Sequence, residues 1–136
     1  MNSHHISQSQ ITPSGDLPVL QKLAFAYKLW QGIAPHISRM TRYSLGAKID
    51  NLFTDCIEQL LLASYTNREH KLKYIVEASN KVDFLKYFIQ LVWELKAINN
   101  NKYISLSTPL TEVGKMLGGW RKQNESQPPA DLRRVG

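Results

Sequence analysis

The sequence predicts an all-α protein, an antiparallel up-down-up-down four-helix bundle, and three observations carry that prediction. Apolar residues recur at steps of three and four along four separate segments. The connections between those segments are short, which sets consecutive helices side by side. Strand-like alternation is confined to one stretch, Ile104-Ser105-Leu106-Ser107, and even there a longer helical face runs through it. With 136 residues, 43% of them hydrophobic and 21% charged, the chain is expected to form one domain with an ordinary core.

Residues 1–15 are polar and contain Pro13 and Gly15, so they are expected to form a flexible tail before a bundle spanning residues 16–123. The first helix takes Asp16 as N-cap and Pro18 in its first turn. Its stripe is Leu20, Leu23, Tyr27, Trp30 and Ala34, and Pro35 ends it. The second is expected to start between Thr41 and Ser44, with Leu45, Ile49, Leu52, Cys56, Leu60 and Ala63 on one face, and to end near Tyr65. Thr66-Asn67 leads to a third helix from Arg68, with Leu72, Ile75, Ala78, Val82, Leu85, Ile89 and Val92 on its core face. Asn99-Asn100-Asn101 stops that helix. In the fourth, Tyr103, Leu106, Leu110, Val113, Leu117 and Trp120 define one helix from Lys102 to Lys122, frayed or kinked at Pro109; a helix starting only at Pro109 is the alternative. Residues 124–136, with Pro128-Pro129, are expected to be a second flexible tail.

The third helix carries a second apolar stripe, Phe84, Phe88, Leu91, Leu95 and Ile98, widened by Tyr87 and Trp93. A bundle helix needs one apolar face, and a second must be covered by something. Two neighbouring helices packed tightly could use both stripes. Self-association is the favoured reading, with those five residues as the oligomer interface.

The motifs that carry catalysis are missing: no GxSxG, no Walker-type glycine loop, no HExxH. His4, His5, His36 and His70 never share one helix face at ligand spacing, so no metal and no cofactor are expected. Asp55 and Glu58 are neighbours at i,i+3 but flank the apolar stripe, as a solvated face does, and Asp50 lies beside them. The lone Cys56 excludes an internal disulfide and reads as a packed small hydrophobe. With no signal sequence and no membrane-length apolar run, a cytoplasmic, non-enzymatic protein that does not enter a membrane is expected. In VGKMLGGW, Gly114 and Gly118 are four apart, which predicts close approach of another helix on that face. Trp120 is expected to anchor a core or an interface.

The formal net charge of +6 favours an anionic partner. From Leu17 to Ile49 there are five Lys or Arg and no Asp or Glu; the connection between helices one and two, with the start of helix two, supplies His36, Arg39, Arg42 and Lys48. A second acid-free run, from Lys115 to Lys122, includes Arg121. In the expected topology these zones lie at opposite ends of the bundle, which suits an extended polyanion. Binding of RNA and DNA without base specificity is expected, because charge is present and no base-reading motif is. The plain alternative is a basic surface that serves solubility.

PHISRMTRYSLGAKIDNLF, KVDFLKYFIQLVWELKAI and EVGKMLGGWRK together give the chain a family resemblance across residues 17–122. It resembles the bacterial four-helix-bundle family that includes the Avd proteins, the accessory variability determinants of diversity-generating retroelements. The resemblance implies a non-enzymatic homopentamer with a basic surface. It also implies the retroelement's reverse transcriptase and template RNA or DNA as partners, and a role in supporting mutagenic retrohoming. Basic side chains of that family stand where Arg39, Lys48 and Lys86 stand here, while Gln90 occupies a place where the family can have a basic residue. Together with the two basic zones, this makes Arg39, Arg42, Lys48, Lys86, Lys115, Arg121 and Lys122 the candidates for binding nucleic acid or reverse transcriptase. Two alternatives stand beside this: a related bundle of the type encoded in intervening sequences of ribosomal RNA genes, and a structural module that docks an acidic protein without nucleic acid.

Overall fold

The computed structural model describes residues 16–125, and the expected tails at residues 1–15 and 126–136 lie outside them. Four long helices make up almost all of this span. Helix α1 is Asp16–Ile33, and a 3-10 turn at Ala34–His36, with Pro35 inside it, closes it as Pro35 predicts. Helix α2 covers 39–65, α3 is Arg68–Glu94 and α4 is Asn100–Glu125. They form a helical bundle: α1 packs on α2 and α4, α2 on α3, and α3 on α4. Each helix therefore lies against its neighbours in sequence, and the last returns to the first.

The core follows the four expected stripes, joined by Phe53, which the expected stripe of the second helix did not include. Leu23 and Trp30 from α1 meet Ile49, Phe53, Cys56 and Leu60 from α2, Val82, Leu85 and Ile89 from α3, and Leu106, Leu110, Val113 and Leu117 from α4, all buried. Burying one such side chain contributes ~1.5–3 kcal/mol. Three contacts fix the pairing of α3 with α4: the rings of Trp93 and Tyr103 stack, Gly114 faces Val82, and Lys71 lies over Trp120.

Helix α2 departs from expectation at its start. It begins at Arg39, earlier than the predicted Thr41–Ser44, and is π-helical over Arg42–Gly46 before becoming α-helical at Ala47–Tyr65. The hydroxyl of Ser44 donates to the carbonyl oxygens of Met40 (2.9 Å) and Thr41 (3.3 Å). A serine that occupies carbonyls of the preceding turn competes with the backbone ladder, and such competition accompanies a local change of winding. Helix α3 begins as expected, with Asn67 as N-cap accepting from the His70 amide.

It ends five residues before the asparagine triplet, and the reason is a Schellman closure: the Lys96 amide donates to Trp93 O and the Ala97 amide to Val92 O, both at 2.9 Å. Lys96 takes the left-handed conformation that this closure requires, with φ 63. Asn99 then caps α4, its side chain accepting from the Lys102 amide at 2.8 Å, so that helix starts two residues before Lys102. It is an unbroken helix through Pro109 and reaches Glu125, two residues past the expected end of the bundle at residue 123. An interior proline costs ~3 kcal/mol or more. Leu106 lies before Pro109, and Leu110, Val113 and Leu117 lie after it, all fully buried. Holding them on one face outweighs the proline, which is itself buried.

Candidate functional site

The basic residues singled out above fall into two settings. On α2, Arg39 and Arg42 are three apart and share one turn. Arg42 is half-buried and held: its Nη1 donates to Pro35 O at 3.1 Å, and its guanidinium lies 5.3 Å from the ring centre of Tyr43. Arg39 and Lys48 are exposed. Beside them Asp50, the first acid after residue 16, is engaged with α1, accepting from the Tyr27 hydroxyl (3.0 Å) and from Gln31 Nε2 (2.8 Å). Burial, with Asp50 as hydrogen-bond partner, pushes the Tyr27 hydroxyl above its ordinary pKa. Lys86 is half-buried on α3. Among the described residues, none of Arg39, Arg42, Lys48 and Lys86 has an ion-pair partner.

On α4, Lys115 and Lys122 are exposed and Arg121 is paired with Glu125, Nε to Oε2 at 2.9 Å. The only other ion pair among the described residues joins Lys22 of α1 to Glu112 of α4 at 2.6 Å. It lies over a groove of about 440 Å³ that is otherwise lined by Pro18, Gln21, Phe25, Thr108 and Pro109.

Of the two glycines of α4 expected to receive a neighbouring helix, only Gly114 faces one, and without a close approach. A methyl group on Gly118 or Gly119 would meet nothing within 4 Å, and one on Gly114 would sit 3.9 Å from Val82, an ordinary contact. Gly118 points to solvent, so the close-approach reading is wrong there. Trp120, by contrast, packs against the core.

The second stripe of α3 divides. Phe84 and Tyr87 on α3 and Leu95, its C-cap, are 53%, 60% and 58% exposed and together make an apolar strip on the outer side. Phe88 is half-buried and packs against the core, and Leu91 is half-buried. Ile98 is a correction: it lies beyond the end of α3, in the turn, and is 5% exposed within the chain's own core. The Schellman turn reverses the chain before Ile98 and swings it inward, so it cannot belong to an outer interface.

Sequence reasoning passed over Met40, between the two arginines, and Tyr43, just after the second, which are 85% and 68% exposed. The signal is the run Arg39-Met40-Thr41-Arg42-Tyr43, in which basic and large apolar side chains interleave. It also passed over Lys96 and Lys102, which flank the asparagines of the α3–α4 turn. Burial raises the Cys56 thiol to about 12, and the side chain donates to Ala78 O at 3.5 Å, so it behaves as core. Among the described residues there is no cluster of three or more His, Cys, Asp or Glu placed to hold a metal. No described helix is long and apolar enough to cross a membrane.

A family model described as bAvd-like matches residues 19–124. No curated protein and no solved structure shows significant similarity to the chain.

Proposed function

Because the chain belongs to the bAvd-like family, we propose that it is a non-enzymatic accessory factor of a diversity-generating retroelement. In this reading it binds the retroelement's reverse transcriptase and its template RNA or DNA in the cytoplasm, and supports mutagenic retrohoming. The observation that carries the binding role is a set of four cations without ion-pair partners, Arg39, Arg42, Lys48 and Lys86, on two adjacent helices.

Their placement supports one surface. The α3–α4 contacts pair rising with falling residue numbers (Trp93 with Tyr103, Val82 with Gly114, Lys71 with Trp120), as an antiparallel up-down-up-down bundle requires. In the same topology the Cys56–Ala78 contact sets the level of α2 against α3. Lys48 lies eight residues before Cys56 and Lys86 eight residues after Ala78 (56 − 48 = 86 − 78), so the two lysines share one height along the bundle. Asp50 points to α1, and Lys48, two residues earlier and therefore ~200° round the helix, points away from α1. Contacts of this kind neutralise phosphates without reading bases, and they weaken steeply as salt rises.

The apolar strip of Phe84, Tyr87 and Leu95 supports self-association, with a homopentamer as the assembly, in which every cation is repeated once per subunit. Sedimentation tests this half of the reading: Leu95→Glu and Phe84→Glu should yield a lighter species that keeps its helical circular dichroism. A wild-type chain that sediments as a monomer at micromolar concentration ends it. The other half is tested by binding RNA, and separately the retroelement's reverse transcriptase, across a salt series. Salt-sensitive binding to both is expected. Capture of the reverse transcriptase with no affinity for RNA would leave a module that docks an acidic protein surface instead.

A further inference from the structure

The turn between α3 and α4 carries features that the basic strip on α2 does not use. A cleft of about 740 Å³ opens there, lined by Trp93, Glu94, Lys96, Ala97, Ile98, Asn99, Asn100 and Lys102. The geometry points to a binding site for one unpaired nucleotide of a single-stranded nucleic acid, its base stacked on Trp93 and its phosphates met by Lys96 and Lys102. This rests on the nucleic-acid reading above and adds to it a place where the strand must be single.

Trp93 is set as a platform. Tyr103 stacks behind it at 4.5 Å between ring centres with only 9° between planes, and Tyr103 is not part of the cleft lining. The indole Nε1 donates to Asn100 Oδ1 at 2.7 Å, which fixes the rotation of the ring in its plane. A base arriving from the cleft would continue a stack that already exists, and every base has a π-face to offer.

The charge around the ring is cationic in effect. Glu94 is the one acid in the lining, and it accepts from Gln90 Nε2 at 3.0 Å. Lys96 and Lys102 have no ion-pair partner among the described residues.

The backbone gives an independent reason to single out Lys96. It holds the left-handed position of the Schellman turn, φ 63, where glycine or asparagine is the usual occupant. A lysine kept in a conformation that disfavours it is an outlier of the kind that clusters at functional sites. In the up-down-up-down topology this turn shares an end of the bundle with Arg39 and Arg42, so a strand leaving Trp93 can continue along α2.

The experiment uses the full chain with labelled oligo(U) and oligo(dT) of about 12 nucleotides and the matching duplexes. Wild type should bind the single strands more tightly than the duplexes, with quenching of tryptophan fluorescence. Trp93→Leu should lose the quenching and bind single strands roughly tenfold more weakly, with duplex affinity unchanged, while Trp93→Phe keeps most of the affinity. Lys96→Gly should weaken single-strand binding with an equal or higher Tm, because glycine suits the turn. That variant keeps the test decisive if Trp93→Leu folds poorly. Quenching that persists in Trp93→Leu, or single-strand affinity unchanged in Lys96→Gly, overturns the site but leaves the basic strip standing. A wild-type chain that binds neither strand nor duplex overturns the nucleic-acid reading as a whole. Preference for oligo(U) over oligo(dT) would assign the site to RNA.

Discussion

The start of α2 and the end of α4 are both acid-free basic runs with glycine among the charges, yet the folded chain treats them in opposite ways. At 39–49 one cation is held in place, while Arg39 and Lys48 are exposed. Arg42 is tied to Pro35 and Tyr43, the one nearby acid is bound to Tyr27 and Gln31, and Gly46 is buried inside a π-helical turn. At 115–122 the cations project into solvent, Arg121 is paired with Glu125, and Gly118 and Gly119 contact nothing. A basic run in a sequence is thus not yet a basic site. What distinguishes the two is one cation in each: Arg42 is held by a carbonyl and a ring and keeps its charge unpaired, whereas Arg121 is paired with a carboxylate.

The contrast can be broken most directly by neutralising each run. Replacing Arg39, Arg42 and Lys48 together with Gln should weaken RNA binding about tenfold or more and lower the log–log salt slope by about 2, with circular dichroism unchanged. The same treatment of Lys115, Arg121 and Lys122 should have a clearly smaller effect. Equal losses would mean that total charge, and not the organised turn, does the binding.

The glycines sharpen the comparison. Gly46 has Thr41 O 3.5 Å from where a Cβ would stand and is enclosed, so Gly46→Leu should cost about 1–3 kcal/mol in denaturant unfolding. Gly118→Ala should instead stabilise the protein by up to about 1 kcal/mol, because an exposed helical glycine gives up propensity without a packing return. A fall in Tm for Gly118→Ala would restore the close-contact reading that the fold rejects. The smallest effect is expected at the ion pair: Glu125→Gln should lower stability by no more than about 0.5 kcal/mol while freeing Arg121, with a slight gain in RNA affinity.

What the sequence determined by itself is the number of helices and the inward face of each. Spacing of three and four places Leu23, Leu60, Leu85 and Leu117 on core faces, and that follows from 3.6 residues per turn whatever the neighbours do. Pro35 and Asn67 were legible as a stop and a start because their chemistry acts on the backbone beside them. The candidate cations were legible as a list, but not as a site.

Tertiary structure decided four things that local pattern leaves open. Helix α4 continues through Pro109 because the residues it carries into the core outweigh one lost backbone bond. The start of α2 winds as a π-turn while Ser44 occupies carbonyls of the turn before it, and periodicity alone cannot say which hydrogen bonds a hydroxyl will take. Ile98 turns inward because a Schellman closure with lysine in the glycine position ends α3 early. And Gly118 faces water although Gly114, one turn away, faces Val82: a helical wheel says which residues share a face, but only the placement of the other three helices says where along that face the contact ends.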